Sequence, residues 1–304
     1  MTFVALVSTS AWSADPPSPP AAAPDIIVKG VTAHAMDTYV RQVIAPGDRE
    51  QIARWNRPVC IRVMNLDSPH ADAVESRIAA IGRQVGVQIA NKPCKANVLV
   101  VATTDPDGAL KQIQDGYPQL FRFRDNGDRP VADYKDLLKP EPVRWINGTE
   151  RLSADGGALS IGTLADSSLA ASNLPTNRVD SPASLDSSTR EDSALSIAVV
   201  DVRRLQGIGT GQLSDYLAMV VFSHPRFGAP FKGGTIMALF ADRDAGAAMP
   251  DAMTAMDMSL LKNLYSTANL RTADQQRASI EFRMRHPEWT AQARKEADAQ
   301  ASRQ

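Results

Sequence analysis

The sequence predicts an α+β fold, with a small α/β layer in its N-terminal portion and a strand followed by helices in its C-terminal portion. In the N-terminal portion, a strand pattern, a helix pattern and a second strand pattern follow one another between residues 58 and 103. In the C-terminal portion, an apolar run at 194–201 precedes two segments with apolar residues at helical spacing. The apolar fraction of 43% is typical of a chain that folds around a core, and it excludes wholesale disorder.

The α/β layer is predicted to begin with a short helix at Met36–Ile44 and a strand at Pro58–Leu66, where apolar and polar residues alternate. Ser68 and Pro69 then provide a hydroxyl cap and a first-turn proline for a second helix, which Gly86 ends. The apolar residues of this helix recur at steps of three and four and share one face: Ala71, Val74, Ile78, Ile81 and Val85.

A second strand is predicted at Asn97–Thr103, because a short continuous apolar run is typical of a strand buried on both faces. Asp105 and Pro106 open another helix. A strand, a helix and a strand in this order form a right-handed βαβ-like unit by default. Val143–Leu152 is predicted as a third strand, which makes Trp145 an aromatic residue of the core or of its edge.

The chain divides into five segments by composition and pattern. Residues 1–24 are a signal-like segment with a Pro/Ala spacer, 25–152 the α/β portion, 153–193 a Ser-rich loop or linker, 194–272 a strand–helix–helix portion and 273–304 a polar C-terminal helix. The loop is predicted because its 41 residues hold ten serines and show little periodicity.

The strand of the fourth segment is predicted at Ala194–Asp201. The first helix after it has an apolar face formed by Leu213, Tyr216, Leu217, Val220 and Val221. The second helix is predicted to start at Thr254–Asp257, which resembles a capping box, and its apolar face consists of Leu260, Leu261 and Leu264.

Charge and hydropathy exclude two classes of protein. The 33 Lys+Arg and 34 Asp+Glu residues give a net charge of −1, so there is no surplus of cations to displace counterions from phosphate, and a general nucleic-acid binder is excluded. No stretch reaches the roughly 20 apolar residues that cross a bilayer, so no membrane span is predicted. The partner is unknown, and an envelope component or another protein is the expected class.

The first residues indicate export. Thr2–Val7 is apolar, and Ala11–Ser13 before Ala14 resembles the small-x-small site that signal peptidase cuts. Asp15–Pro24 is typical of an extended spacer after such a site. A basic n-region is missing, so we expect the true start codon upstream; a short disordered tail is the alternative. The predicted location is the periplasm or the exterior of the cell.

The two cysteines, Cys60 and Cys94, lie at the edges of predicted strands. In an oxidising compartment they can pair, and closing their loop of 34 sequence steps stabilises the fold by about 3.7 kcal/mol in the chain-entropy estimate. Two unrelated buried thiols are the alternative. A metal site is not expected here, because there is neither a CxxC pair nor a nearby histidine.

The four histidines are scattered and show no HxxxH or HxH spacing, so surface or capping roles are predicted for them: His34, His70, His224 and His286. No metal and no other cofactor is predicted from the sequence.

Gly207–Gly211 follows a strand and precedes a helix, which is where a phosphate-binding loop lies. It lacks the third spaced glycine of the dinucleotide fingerprint and the lysine of a P-loop, so a tight turn into the helix is predicted. Asp201 and Asp215 can be considered as a carboxylate pair for acid/base catalysis. Helix-cap and solvent-facing positions are the simpler expectation for both, and no catalytic residue is assigned.

Four segments of the C-terminal third carry a family resemblance: Ser196–Asp201, Gln212–Met219, Thr235–Phe240 and Asp257–Tyr265. They resemble a family of exported proteobacterial proteins of unknown function. That family is similar in turn to a wider domain family with a zincin-like architecture, that of zinc metallopeptidases. In the wider family, a strand precedes a helix with a Glu-rich or HExxH-like motif, followed by a short Ser-Ile-Phe-like segment and a helix that ends in Leu-Tyr.

The resemblance places the metal-binding helix at Gly211–Asp215. The two histidine positions of the motif are Gly211 and Asp215, and the position of the general-base glutamate is Gln212. Glycine offers no ligand, and an amide takes up no proton at neutral pH. The resemblance therefore implies a zincin-like scaffold whose metal motif is degenerate.

The sequence thus predicts an exported protein that acts as a non-catalytic scaffold or binding protein with a degenerate metallopeptidase-like core. The alternative is an exported hydrolase with an unrecognised site, in which Asp201, Asp215 and His224 come together near the Gly207–Gly211 turn.

Overall fold

A mixed four-stranded sheet forms the centre of the molecule. The computed structural model describes residues 32–44, 51–121, 134–157, 160–161, 175–176 and 187–288. The sheet contains β1 (Ile61–Met64), β2 (Val98–Thr103), β3 (Val143–Ser153) and β6 (Thr189–Asp201), in the spatial order β1-β2-β6-β3. Two short strands, β4 (Ser160–Ile161) and β5 (Pro175–Thr176), pair with each other.

Eight α-helices accompany the strands in this part of the chain. They are α1 (Ala33–Val43), α2 (Ser68–Gln84), α3 (Pro106–Gly116), α4 (Tyr134–Leu137), α5 (Thr210–Ser223), α6 (Leu239–Asp244), α7 (Ala255–Ser266) and α8 (Ala273–Arg285). Helices and a mixed sheet together confirm the predicted α+β class.

The predicted βαβ-like unit is present, because β1 and β2 pair in parallel and α2 connects them. β6 adds to β2 in parallel, and β3 pairs with β6 in the antiparallel sense. The strands of the 25–152 and 194–272 segments therefore share one sheet. The register of β3 and β6 shifts beside Gly148 and Thr149, which face Leu195 and Ser193, so Ala194 is an extra residue of the kind that forms a β-bulge.

Alternate residues of the strands supply two apolar cores on opposite faces of the sheet. The larger core includes Val100, Trp145 and Ala198 and lies under α2 and α5. The smaller core includes Ile146 and Ile197 and lies against α3 and α4. The strand β2 is buried on one face and half-buried on the other, so the predicted burial on both faces is complete for one face only. The cover provided by α3 and α4 is thinner than that provided by α2 and α5.

Helix α5 is the central helix of the larger core. Every side chain from Leu213 to Ser223 is buried, so the single apolar face predicted for this helix understates its burial. It lies close to α2 at Gly82, where an added Cβ would be 2.7 Å from Phe222 Cζ. A methyl group at this position would therefore displace the Phe222 ring.

The buried C-terminal end of α5 needs hydrogen-bond donors, because the last four carbonyl groups of a helix have no partner within it. Asn147 Nδ2 donates to the carbonyl oxygen of Val220 at 3.1 Å, and Trp55 Nε1 donates to that of Val221 at 2.8 Å. The hydroxyl of Tyr265 donates to the carbonyl oxygen of Phe222 at 3.1 Å. Side chains from three distant parts of the chain thus close the helix end.

Most predicted boundaries agree with the structure within a few residues. The capping box of α7 is confirmed, since Thr254 Oγ1 accepts from the backbone N–H of Asp257. The predicted Ser68 cap is wrong: Asp67 is the N-cap residue of α2 and makes no side-chain cap, because its carboxylate contacts His70 Nδ1 at 2.6 Å.

Parts of two predicted segments are described by the structure. Residues 189–193 of the Ser-rich segment belong to β6, whereas most of that segment and all of the signal-like segment lie outside the described residues. The polar C-terminal helix begins at Ala273 as α8 and ends at Arg285.

Cys60 and Cys94 form a disulfide with a Cα–Cα distance of 6.0 Å, which confirms the predicted pairing. It joins the residue before β1 to the segment that leads into β2.

We expect reduction of this disulfide, or the Cys60→Ala/Cys94→Ala double substitution, to lower the free energy of unfolding by about 3 to 4 kcal/mol. Without the bond, the loop of 34 residues has more conformational entropy in the unfolded state, and this stabilises the unfolded state by that amount. Urea unfolding with and without a reductant measures the difference. The double variant is the control, because its stability must not respond to the reductant.

Candidate functional site

The degenerate motif implied by the resemblance lies in the first turns of α5. Gly211 faces open space, since an added Cβ would meet nothing within 4 Å. Gln212 Oε1 accepts from the backbone N–H of Gly209 at 2.9 Å, and Gln212 Nε2 donates to the carbonyl oxygen of Pro250 at 2.9 Å. Gln212 therefore caps the helix and connects it to the loop before α7.

Asp215 is fully buried, so the expectation that it faces solvent is wrong. Arg77 Nε and Nη2 donate to its two carboxylate oxygens at 2.6 and 2.9 Å, and the backbone N–H of Met253 donates to Oδ2 at 2.6 Å. Asp215 is buried because α5 lies at the centre of the core, which places this residue against α2. The hydrogen bond that Arg77 donates to Asp215 raises the pKa of Arg77. The pair has the planar, bidentate geometry of a strong charge-assisted contact.

Asp201 ends β6 and caps the short turn that follows, as predicted. It is buried, so the expectation that it faces solvent is wrong. Its Oδ1 accepts from the backbone N–H of Arg203 at 3.1 Å and from Arg203 Nε at 2.9 Å. The hydrogen bond from Arg203 lowers the pKa of the Asp201 carboxyl, so it is ionised at neutral pH.

His224 follows α5 in a left-handed backbone conformation, with φ of 53°. The distance between its Nε2 and Ser193 Oγ is 2.9 Å, and both residues are buried. Burial lowers the pKa of His224 to about 4, so the imidazole is neutral at pH 7. A serine hydrogen-bonded to a neutral histidine is the contact that a nucleophile–base pair requires. No pattern in the sequence points to Ser193, which precedes His224 by 31 residues.

The structure does not bring Asp201, Asp215 and His224 together. Asp215 and His224 lie nine residues apart at opposite ends of α5, or about 14 Å along the axis. Ser193, the partner of His224, lies eight residues before Asp201 on β6, or about 26 Å along the strand.

Asp257 is a buried carboxylate whose role sequence reasoning missed. Its Oδ1 accepts from the hydroxyl groups of Tyr39 at 2.5 Å and Thr235 at 2.6 Å. Its Oδ2 accepts from the backbone N–H groups of Ile236 at 2.7 Å and Thr254 at 3.0 Å. Burial and the Asp257 charge raise the pKa of Tyr39 well above its usual value. The capping-box pattern was the available signal, but it does not indicate burial.

A polar cleft of about 610 Å³ lies between the segment before β1 and the loop that connects α7 to α8. Amide, hydroxyl and guanidinium groups line it, among them those of Arg54, Asn56, Thr267, Asn269 and Arg271. Neither the histidines nor the motif residues belong to this lining. The cleft is therefore a second candidate site, which the sequence did not reveal.

Arg54 is the buried cation of this cleft. Its Nη1 donates to the carbonyl oxygens of Leu264 at 2.7 Å and Thr267 at 2.5 Å, at the C-terminal end of α7. A cation at this end of a helix also interacts favourably with the helix dipole. Arg54 Nη2 is buried and has no hydrogen-bond acceptor among the described residues.

No group of three or more potential metal-ligating side chains occurs among the residues that the structure describes. None of the described helices has the length and apolar character needed to cross a bilayer. No protein-family model matches the chain, and neither does any curated protein or solved structure. The family resemblance of the C-terminal third therefore stays a prediction.

The buried His224 predicts a loss of stability in mild acid. The unfolded state takes up a proton below about pH 6.5, whereas the folded state takes it up only near pH 4. The free energy of unfolding should therefore fall by about 1.4 kcal/mol per pH unit in this window, about 3 kcal/mol in total. His224→Asn suits the left-handed backbone and should flatten this part of the profile.

Urea unfolding between pH 4 and 7 measures the effect as the difference between the wild type and His224→Asn. His34→Asn, at an exposed position, serves as the matched control. Equal slopes for the wild type and His224→Asn would show that His224 is protonated equally in both states.

Proposed function

We propose that this chain is an exported, non-catalytic binding protein with a metallopeptidase-like core that has lost its metal site. The observation that carries the proposal is that both carboxylate oxygens of Asp215 already accept hydrogen bonds, from Arg77 and from the backbone N–H of Met253. Asp215 stands at one of the two histidine positions of the implied motif. A carboxylate held by a guanidinium has its charge compensated inside the protein, so it does not require a bound cation.

The order of elements supports the family part of the proposal. The strand β6 precedes α5, a short helical segment at 236–244 follows, and α7 carries Leu264 and Tyr265 near its end. This is the order that the resemblance implies. Gln212 stands where a metallopeptidase has its general base. Its amide oxygen and nitrogen both form hydrogen bonds that hold α5 in place, which supports a structural role for this residue.

The disulfide supports export, because such bonds form and persist in oxidising compartments. N-terminal sequencing of the protein from the cell envelope or the medium tests this part. We expect Ala14, Asp15 or a near neighbour as the first residue. A chain that keeps Met1 and stays in the cytoplasm would overturn the export proposal.

One observation favours a hydrolase as the second candidate function, namely the hydrogen bond between Ser193 and His224. Two features weigh against it. The Ser193 side chain is fully buried, and an imidazole with a pKa of about 4 is a weak base at neutral pH. The pair is better explained as a buried polar contact that joins β6 to the end of α5.

Metal analysis of the purified protein distinguishes both the binding protein and the serine hydrolase from a zinc enzyme. After equilibration with zinc and removal of the excess, we expect no stoichiometric metal, and the same result for Asp215→Asn. One zinc per chain that disappears in Asp215→Asn would overturn the proposal. Turnover of ester or peptide substrates that is lost in Ser193→Ala, while Ser187→Ala stays active, would establish the hydrolase instead.

A further inference from the structure

The buried side chain of Gln276 holds the two walls of the polar cleft together. Its Nε2 donates to the carbonyl oxygens of Ala268 at 2.9 Å and Asn269 at 3.2 Å, in the loop between α7 and α8. Its Oε1 accepts from the backbone N–H of Ile52 at 2.8 Å, in the segment before β1. Gln276 is 1% exposed, and its three hydrogen bonds fix one wall against the other. The cleft therefore has the rigid frame of a pre-formed binding site.

The backbone carbonyl groups of this loop are already used. Each carbonyl group from residue 267 to residue 270 accepts a hydrogen bond from another part of the chain. The donors, in order along the loop, are Arg54, Gln276, Gln51 together with Gln276, and the backbone N–H of Ser187. A loop whose carbonyl groups are occupied cannot pair with an extended peptide as the edge of a sheet does. A ligand of the cleft is therefore recognised by side chains.

Two accessible asparagine amides lie side by side in the cleft lining. Asn56 is exposed and Asn269 is half-buried, and Asn269 Nδ2 donates to Asn56 Oδ1 at 3.3 Å. Asn56 Nδ2 also donates to Asp192 Oδ1 at 2.5 Å, which orients its amide group. An amide has two N–H donors and an oxygen with two lone pairs. Within the described part of the chain, one N–H of each amide and the oxygen of Asn269 have no partner, so the pair offers donors and an acceptor to a ligand.

The charges around the asparagine pair are balanced inside the protein. Asp192 is buried and accepts from Arg190 Nη2 at 3.0 Å. Arg54 is buried as well, and its Nη1 donates inward to the end of α7. Arg271 is half-buried and already interacts with another part of the chain. The pair therefore matches an uncharged ligand, and a hydroxyl group suits it because each hydroxyl both donates and accepts.

We propose that the cleft binds a saccharide, whose hydroxyl groups form hydrogen bonds with the amides of Asn56 and Asn269. The half-buried side chains of Tyr265 and Leu270 line the same cleft and provide apolar surface for the C–H groups of the sugar. The volume of about 610 Å³ lies within the range of about 300 to 1,000 Å³ that small-molecule sites have. The inference rests on the proposed binding function and specifies the chemical class of the ligand.

Titration calorimetry with cellobiose, N,N′-diacetylchitobiose and inorganic phosphate tests the inference on the full chain. Both disaccharides carry neighbouring hydroxyl groups, the second has acetamido groups as well, and phosphate is an anion without a sugar. We expect at least one disaccharide to bind with a Kd of about 1 mM or tighter and phosphate not to bind. The disaccharide that binds shows whether the acetamido groups contribute. Failure of both disaccharides to bind, or equal binding of phosphate, would overturn the inference.

A bulky side chain at Ala268 tests the location of the sugar. Ala268 is exposed and lines the cleft, so its side chain can be enlarged without strain in the core. Ala268→Trp should raise the Kd about tenfold or more, because the indole takes the space of the ligand. Ala252→Trp places the same side chain at an exposed position before α7, outside the described lining, and should leave the Kd unchanged. Equal affinities of the two variants would place the sugar elsewhere.

Removal of one amide tests the asparagine pair itself. Asn269→Leu keeps the approximate size of the side chain but removes its donors and its acceptor, so the Kd should rise about tenfold. Its Tm should stay at the wild-type value, since the hydrogen bond to Asn56 is exposed. Asn91→Leu, at an exposed position outside the described lining, is the matched control. An unchanged Kd in Asn269→Leu would contradict the role of the pair.

The two variants in the cleft are independent, so each decides the location if the other fails to fold. Bound zinc or turnover would overturn the proposed function alone, whereas failure of both disaccharides would overturn only this inference.

Discussion

Asp257→Ala should be the most destabilising single substitution considered, with a loss of about 5 kcal/mol in the free energy of unfolding. Three buried donors lose their acceptor at once, the hydroxyl groups of Tyr39 and Thr235 and the backbone N–H of Ile236. The half-buried backbone N–H of Thr254 loses its acceptor as well. Each unsatisfied buried donor costs about 1 to 3 kcal/mol. A typical domain has only about 5 to 15 kcal/mol of stability, so the variant lies close to unfolding.

Thermal and urea unfolding measure the effect, with an expected decrease of Tm of about 10 °C or more. Asp257→Asn keeps one acceptor oxygen but presents an amide N–H₂ to two donors, so it should lose an intermediate amount. Asp251→Ala removes an exposed carboxylate just before α7 and should cost less than about 0.5 kcal/mol. Similar losses for Asp251→Ala and Asp257→Ala would contradict the assignment of Asp257 as a buried centre of hydrogen bonding.

Arg77→Met should lower the free energy of unfolding by about 3 kcal/mol, because it leaves the carboxylate of Asp215 buried without a counter-ion. Loss of one partner of a buried ion pair costs about 3 to 5 kcal/mol. The lower value applies here, because the Arg77 side chain is 44% exposed and water can replace part of its charge. Urea unfolding at neutral pH measures the loss.

The second substitution Asp215→Asn distinguishes an uncompensated charge from lost packing. In Arg77→Met/Asp215→Asn the buried charge is absent, while the amide oxygen still accepts from the Met253 N–H, so most of the stability should return. Arg83→Met, at an exposed position of the same helix, should have little effect. A double variant that is less stable than Arg77→Met would show that the loss comes from packing.

Local patterns predicted the elements of this fold because local physics determines them. The apolar spacing of α2, the turn at Gly86 and the Thr254 cap of α7 each depend on residues close in the chain. Even the disulfide between Cys60 and Cys94 could be anticipated, since it closes a short loop between two neighbouring strands.

The candidate sites depend on distant contacts, and the sequence did not reveal them. The carboxylate of Asp215 meets an arginine that precedes it by 138 residues, and Arg54 meets carbonyl groups more than 200 residues later. Neither pairing leaves a periodic or spaced signal in the chain. Asp215 was therefore expected to face solvent, and the cleft was not expected at all.

The place of β6 in the sheet has a consequence for how the molecule acquires its structure. It is the last of the six strands in the described chain, yet it lies between β2 and β3 and pairs with both. The first 188 residues therefore hold β2 and β3 without the strand that joins them. Contacts so far apart slow the search for the native state, and earlier segments expose apolar surface meanwhile. The central pairings of the sheet can therefore form only after residue 201 has been synthesised.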